Sequence, residues 1–126
     1  MPKQKLLLID SDDLRRDSRV KLLVGVGYDV DVRNDYIVAE HLGDEGSYDL
    51  IVLALHGYPE KAISYSDQLK RNSPRLPVLL LTDFGVFVPP GTLSRSIESG
   101  SPYELIEEIA TMLAGATHVR ELPVRI

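Results

Sequence analysis

Three carboxylates, Asp10, Asp12 and Asp13, follow directly on the apolar run Leu6 to Ile9. Oxygens clustered in this way either hold a hard cation, which wants oxygen ligands, or cap the helix that comes next. Asp10 is the best placed of the three for a cation, with Asp12 beside it, and Asp12 also stands where an N-cap belongs. A second apolar run, Leu50 to Leu55, carries Ala54 near its end, with His56 two residues further on. If the strand runs on, His56 shares a side of the pleat with Ala54; otherwise it is a loop residue. A third run ends at Thr82, whose hydroxyl either serves a site or satisfies nearby backbone. Glu98 follows a fourth. Set near Asp10 it would oppose two carboxylates, an arrangement that recruits a cation or an arginine such as Arg95. Nucleophilic catalysis finds no support, because Ser11, Ser64 and Ser66 have no His or Lys in motif with them and the chain has no cysteine. His41 and His118 stand without ligand companions at useful spacing.

The elements that must position these residues alternate regularly. Leu6 to Ile9 is a continuous apolar run, the pattern of a strand buried on both faces, and so of a parallel sheet. Asp12 then caps a helix with Leu14, Val20, Leu22, Leu23 and Val26 at helical spacing, closed by Gly25 and Gly27. Tyr28 to Val32 alternates with period two, an outer strand. Tyr36 to Leu42 reads as a short second helix, and Leu50 to Leu55 as the central strand. Pro59 opens a helix through Ala62, Ile63, Tyr65 and Leu69 that stops at Arg71-Asn72-Ser73-Pro74, and Pro77 to Thr82 is another buried strand. After it, Val86-Phe87-Val88 precede Pro89-Pro90, and two prolines do not continue a helix begun before them. Leu93 to Ile97 is a fifth strand. Ser101-Pro102 opens the last helix, with Leu105, Ile106, Ile109, Met112 and Leu113 on one face. Five such alternations with short connections describe a doubly wound sheet with helices on both faces, whose chemistry gathers at the carboxyl ends of the strands.

Length and charge bound the rest. At 126 residues one domain is expected, and 14 basic against 19 acidic residues give a formal charge of -5, which offers no footprint for nucleic acid or an anionic membrane. The apolar stretch at the N-terminus is too short for a signal peptide and no segment reaches membrane-spanning length, so a cytoplasmic location is the expectation.

In order and at matching spacing, "KLLLIDSDD", "YDLIVLAL", "LPVLLLTD" and "ESGSPYELIEEIATML" resemble the segments of bacterial two-component response-regulator receivers, from about Lys5 to Gly115. The resemblance implies a flavodoxin-like five-stranded parallel sheet of order 2-1-3-4-5, a receiver-like domain over 1–115 and a tail over 116–126. It also implies a phosphorylation pocket at Asp10, Ser11, Asp12, Ala54, Thr82 and Glu98. That pocket is degenerate. Ala54 stands in the place of the phosphate-accepting aspartate and its methyl group cannot attack phosphorus; Ser11 stands where a second acid is expected; Glu98 or, after a three-residue slip, Ser101 replaces a lysine. Pro89-Pro90 stunts the fourth helix. The resemblance therefore implies a stand-alone pseudo-receiver that is no enzyme, needs no cofactor beyond weak magnesium at Asp10 and Asp12, and works by protein contacts. Its partner is a histidine kinase, an output protein or a second copy of itself, met through Val86, Phe87, Val88 and Tyr103, the alternative for Val86-Phe87-Val88 being a core plug folded under the loop. The alternative is a metal- or small-ligand-sensing domain of the same fold.

Overall fold

The computed structural model describes residues 3–34, 48–57, 59–83, 85–98 and 101–121, with side chains to 115. Five parallel strands, β1 (Lys5–Ile9), β2 (Asp29–Arg33), β3 (Leu50–Leu55), β4 (Val78–Thr82) and β5 (Arg95–Glu98), lie in the order β2-β1-β3-β4-β5. The expected topology is the observed one. Every residue of β3 is buried, as a strand with helices on both its faces must be. The predicted helix at Tyr36–Leu42, with His41, lies outside the described residues.

Strand alternation divides the core in two. Leu6, Leu8, Leu50, Val52, Leu79 and Leu81 face Leu23 of helix α1 (Asp13–Val26) and Leu105, Ile109 and Leu113 of helix α3 (Pro102–Glu121). Leu7, Ile9, Ile51, Leu53, Leu55 and Leu80 face Ile63, Tyr65 and Leu69 of helix α2 (Glu60–Asn72). Helix α3 continues beyond the expected boundary at 115, through Glu121.

Helix α1 begins as its sequence specifies. Asp12 is the N-cap, its carboxylate accepting the Arg15 amide at 3.1 Å, and Gly27 is the C-cap at φ 119°, where a side chain would be strained. Its inward stripe differs from the apolar one expected. The residues turned toward the sheet include Arg16, Arg19, Val20 and Leu23, spaced i, i+3, i+4, i+7, whereas Leu14 is 82% exposed and Val26 faces solvent. Leu14 precedes that stripe by two residues, about 200° round the helix, which turns it outward.

Between β4 and β5 the described residues form turns and extended chain, with no helix. Gly85 and Gly91 take positive φ there. Pro89 and Pro90 lack the backbone amides that helical turns need there, and β5 starts at Arg95, two residues later than the sequence pattern suggests.

Candidate functional site

The carboxyl ends of β1, β3 and β4 bring three titratable residues together, Asp10, His56 and Asp83. Asp10 directly follows β1 and still pairs with β2 through its amide to the Arg33 carbonyl at 3.0 Å. Its side chain is 1% exposed. Oδ1 accepts the Asp12 amide at 2.9 Å and lies 2.8 Å from His56 Nε2, while Oδ2 accepts from Arg19 Nη1. The carbonyl of Asp10 accepts from Arg16 Nη1 at 3.1 Å. His56, directly after β3, turns its other ring nitrogen to Asp83 Oδ2 at 2.9 Å, and Asp83 Oδ1 accepts from Arg15 Nη1. Arg19, Asp10, His56, Asp83 and Arg15 thus form a chain of alternating charge. It leaves helix α1 at Arg19, crosses three strand ends and returns to α1 one turn away at Arg15.

His56 presents both ring nitrogens to carboxylates, and only the doubly protonated imidazolium donates to both. Burial pushes its pKa down, but the hydrogen bonds and charges of Asp10 and Asp83 more than reverse this, so the net shift is upward. Asp83 shows the complement: burial raises its pKa, His56 and Arg15 lower it further, and it ends below the ordinary carboxylate range. Asp12 is lowered chiefly by accepting the Arg15 amide.

Of the expected pocket residues, the structure brings two close. Ala54, 8% exposed, lies one register step past the Leu53–Ile9 pair, on the Leu8 and Val52 face that Asp10 continues. Ser11 is exposed, and the Asp12 carboxylate is turned to its own helix. Thr82 ends β4 opposite Leu55, is buried, and its hydroxyl donates to the Ile97 carbonyl at 3.2 Å, the backbone-satisfying alternative of the sequence reading. Glu98 ends the edge strand β5 opposite Thr82 and lines the same cleft as Arg19. Arg95 does not neutralise it; that guanidinium holds Glu108 of α3.

The expected contact surface also divides. Val86 and Val88 are half-buried against the α2-side core, so they are packing residues, a correction that follows from strand-like alternation in this segment. Phe87 between them is 71% exposed and Tyr103 is 72% exposed.

Arg15, Arg19 and Asp83 carry the network and were absent from the sequence-based site. One signal was available: Arg16 and Arg19 share a helical stripe with Val20 and Leu23, and an arginine on a core-facing stripe requires a carboxylate partner. Among the described residues no three His, Asp or Glu side chains converge as a metal cage, and no helix is long and apolar enough to cross a membrane. A cleft of about 350 Å³ opens beside Arg19, between α1 and α3, with Leu22, Leu81 and Leu105 in its lining.

No protein-family model and no curated protein matches this sequence. Solved structures do. NtrX from Brucella abortus, crystallised in complex with ADP, superposes with a TM-score of 0.81 at 19% identity over 97% of this chain, which spans only 29% of that chain. The signal receiver domain of an HD domain-containing protein from Pseudomonas fluorescens gives 0.78 at 18% identity, covering 93% of this chain and 99% of that one. A CheY-like response-regulator receiver domain protein from Methanospirillum hungatei gives 0.75 at 16% identity, over 93% and 98%. The chain accordingly has the fold of response-regulator receiver domains.

Proposed function

We propose that this chain is a receiver-like signalling module of a two-component phosphorelay that is not phosphorylated at the strand-end position and acts through protein contacts. The observation that carries the proposal is Ala54 near the end of β3, next after the Leu53 that pairs with Ile9: a methyl group stands where the fold would carry an attacking carboxylate, and Asp10, next after Ile9, is already bonded to Arg19 and His56. An acyl phosphate needs an oxygen nucleophile, and Ala54 has none. The contact surface is carried by Phe87 and Leu93 of the β4–β5 connection and Tyr103 in the first turn of α3, all exposed and all on segments flanking the edge strand β5. A second copy of the chain is the occupant proposed for it.

Incubation with acetyl phosphate, followed by mass spectrometry and acid-lability analysis, tests the first half; no incorporation is expected, and acid-labile phosphate on Asp10, Asp12 or Asp13 would overturn it. Ala54→Asp alone is expected to remain unresponsive, because the network around Asp10 is unchanged and Glu98 would repel a phosphoryl group. Sedimentation of the full chain tests the second half. A monomer at all concentrations that still captures a kinase or output protein would move the surface to a hetero-partner.

One observation favours a second reading, a small-ligand sensor. The cleft between α1 and α3 falls at the lower end of the size range of small-molecule sites, has an apolar lining, and touches Arg19, so an occupant would reach the Asp10 network directly. A thermal-shift screen of metabolites separates the two, since a pure contact module responds to none of them.

A further inference from the structure

The receiver fold implies a divalent cation at the acidic edge of its sheet, and the residues of this chain do not fit one. Magnesium demands a near-octahedral set of oxygens, and calcium six to eight. Here Ser11 is exposed and Ala54 supplies no oxygen. Both Asp10 oxygens are engaged, one by Arg19 and one by His56 and the Asp12 amide. Asp83 gives one oxygen to His56 and the other to Arg15, and Asp12 caps α1. An incoming ion would have to displace a guanidinium that is itself only 9% exposed. It would also meet the positive charges of Arg15 and Arg19 at close range, in a partly buried setting where such repulsion is strong.

We infer that Arg19 and His56 are the resident cations of this pocket, occupying the Asp10 carboxylate in place of a divalent ion and fixing the strand ends in one metal-independent state. The closed course of the network supports this. Arg19 and Arg15 are i and i−4 on α1, so a chain running from one to the other through Asp10, His56 and Asp83 clasps the ends of β1, β3 and β4 to a single helix. In this fold a pocket open at those strand ends could be filled or emptied by an ion; a pocket filled by two side chains is emptied only when both leave the Asp10 carboxylate. The inference goes beyond the proposed function and does not depend on it, since phosphate incorporation and cation binding are read separately.

The test uses manganese chloride as a paramagnetic probe of the full chain, read by broadening of amide resonances, alongside thermal unfolding in magnesium chloride. The wild type is expected to show no selective broadening at Asp10, Asp12, His56 or Asp83, and no shift in Tm, up to about 1 mM, the weak end of protein calcium sites. The Arg19→Gln/His56→Gln double variant should gain both responses. His56→Gln alone serves as the second variant if the double one does not fold, and should gain broadening at Asp10 and Asp83. Saturable broadening of these amides in the wild type would overturn the inference. So would its absence from every folded variant, because the missing carboxylates at Ser11 and Ala54 would then exclude the ion by themselves.

Discussion

Replacing Asp10 by leucine strips the clasp of its central acceptor and puts an apolar side chain of similar reach in its place. Arg19, on the inward stripe of α1, is left buried without that carboxylate. Removing one partner of a buried ion pair costs about 3–5 kcal/mol, because the orphaned charge stays desolvated. Arg19 has a further interaction besides Asp10, which favours the lower end, about 3 kcal/mol. The Asp12 amide and His56 Nε2 also lose their acceptor, though both lie near enough to solvent to recruit water. A loss of about 3 kcal/mol is a large share of the 5–15 kcal/mol that holds an ordinary domain together. With a urea m-value of about 2 kcal/mol/M, the midpoint should fall by about 1.5 M. Equilibrium urea unfolding followed by circular dichroism reads this directly, with an unchanged m-value showing that the transition remains the same one. Arg19→Met in the Asp10→Leu background should then recover part of the loss, since an apolar pair leaves no buried charge. A drop below about 1 kcal/mol for Asp10→Leu, or additivity of the two substitutions, would refute the reasoning: the pair would be a surface contact in effect, with little coupling.

Other perturbations have equally definite expectations. His56 titrates above its ordinary 6.5 in the folded chain, so its contribution is complete below that pH and is lost as pH rises through the raised value; urea midpoints should decline on the alkaline side, and His56→Gln should flatten that decline. Asp83 and Asp12 titrate below their ordinary 3.8, so their contribution is present above that value and fades as pH falls through the lowered ones, visible in acid titration of the folded fraction. Phe87→Ser should weaken self-association in sedimentation while costing no more than about 1 kcal/mol, the scale of a surface change; a loss of several kcal/mol with association untouched would place Phe87 in the core. Ile109→Ala, at a fully buried position on α3, should cost about 2–5 kcal/mol in the same urea assay.

The sheet was legible because its signals are local and redundant. Uninterrupted runs such as Leu50 to Leu55 can only be buried on both faces, and glycine and proline mark where each run must end. Residues that misled did so where neighbours in space outweighed neighbours in sequence. Leu14 fits the apolar spacing of α1, but the sheet lies under Arg19 and Leu23, and Leu14, two residues before Arg16 and so about 200° round the helix, turns to solvent. Val86, Phe87 and Val88 form one hydrophobic word in the sequence. Extended backbone splits it, so the two valines plug the α2-side core and the phenylalanine between them is presented outward.

The site was legible only in what it lacks. Ala54 could be read from the run that contains it, and Asp10 from the run it ends, since each is fixed by a strand. Their partners are fixed by nothing so local: His56 is 46 residues from Asp10 and Asp83 is 27 residues from His56, and they meet because parallel register puts the ends of β1, β3 and β4 side by side. Ala54, Arg19 and His56 therefore meet Asp10 at one location, the carboxyl edge of adjacent strands. An acid that once would be read as a ligand is, in this chain, the counter-charge that lets α1 bury an arginine against the sheet.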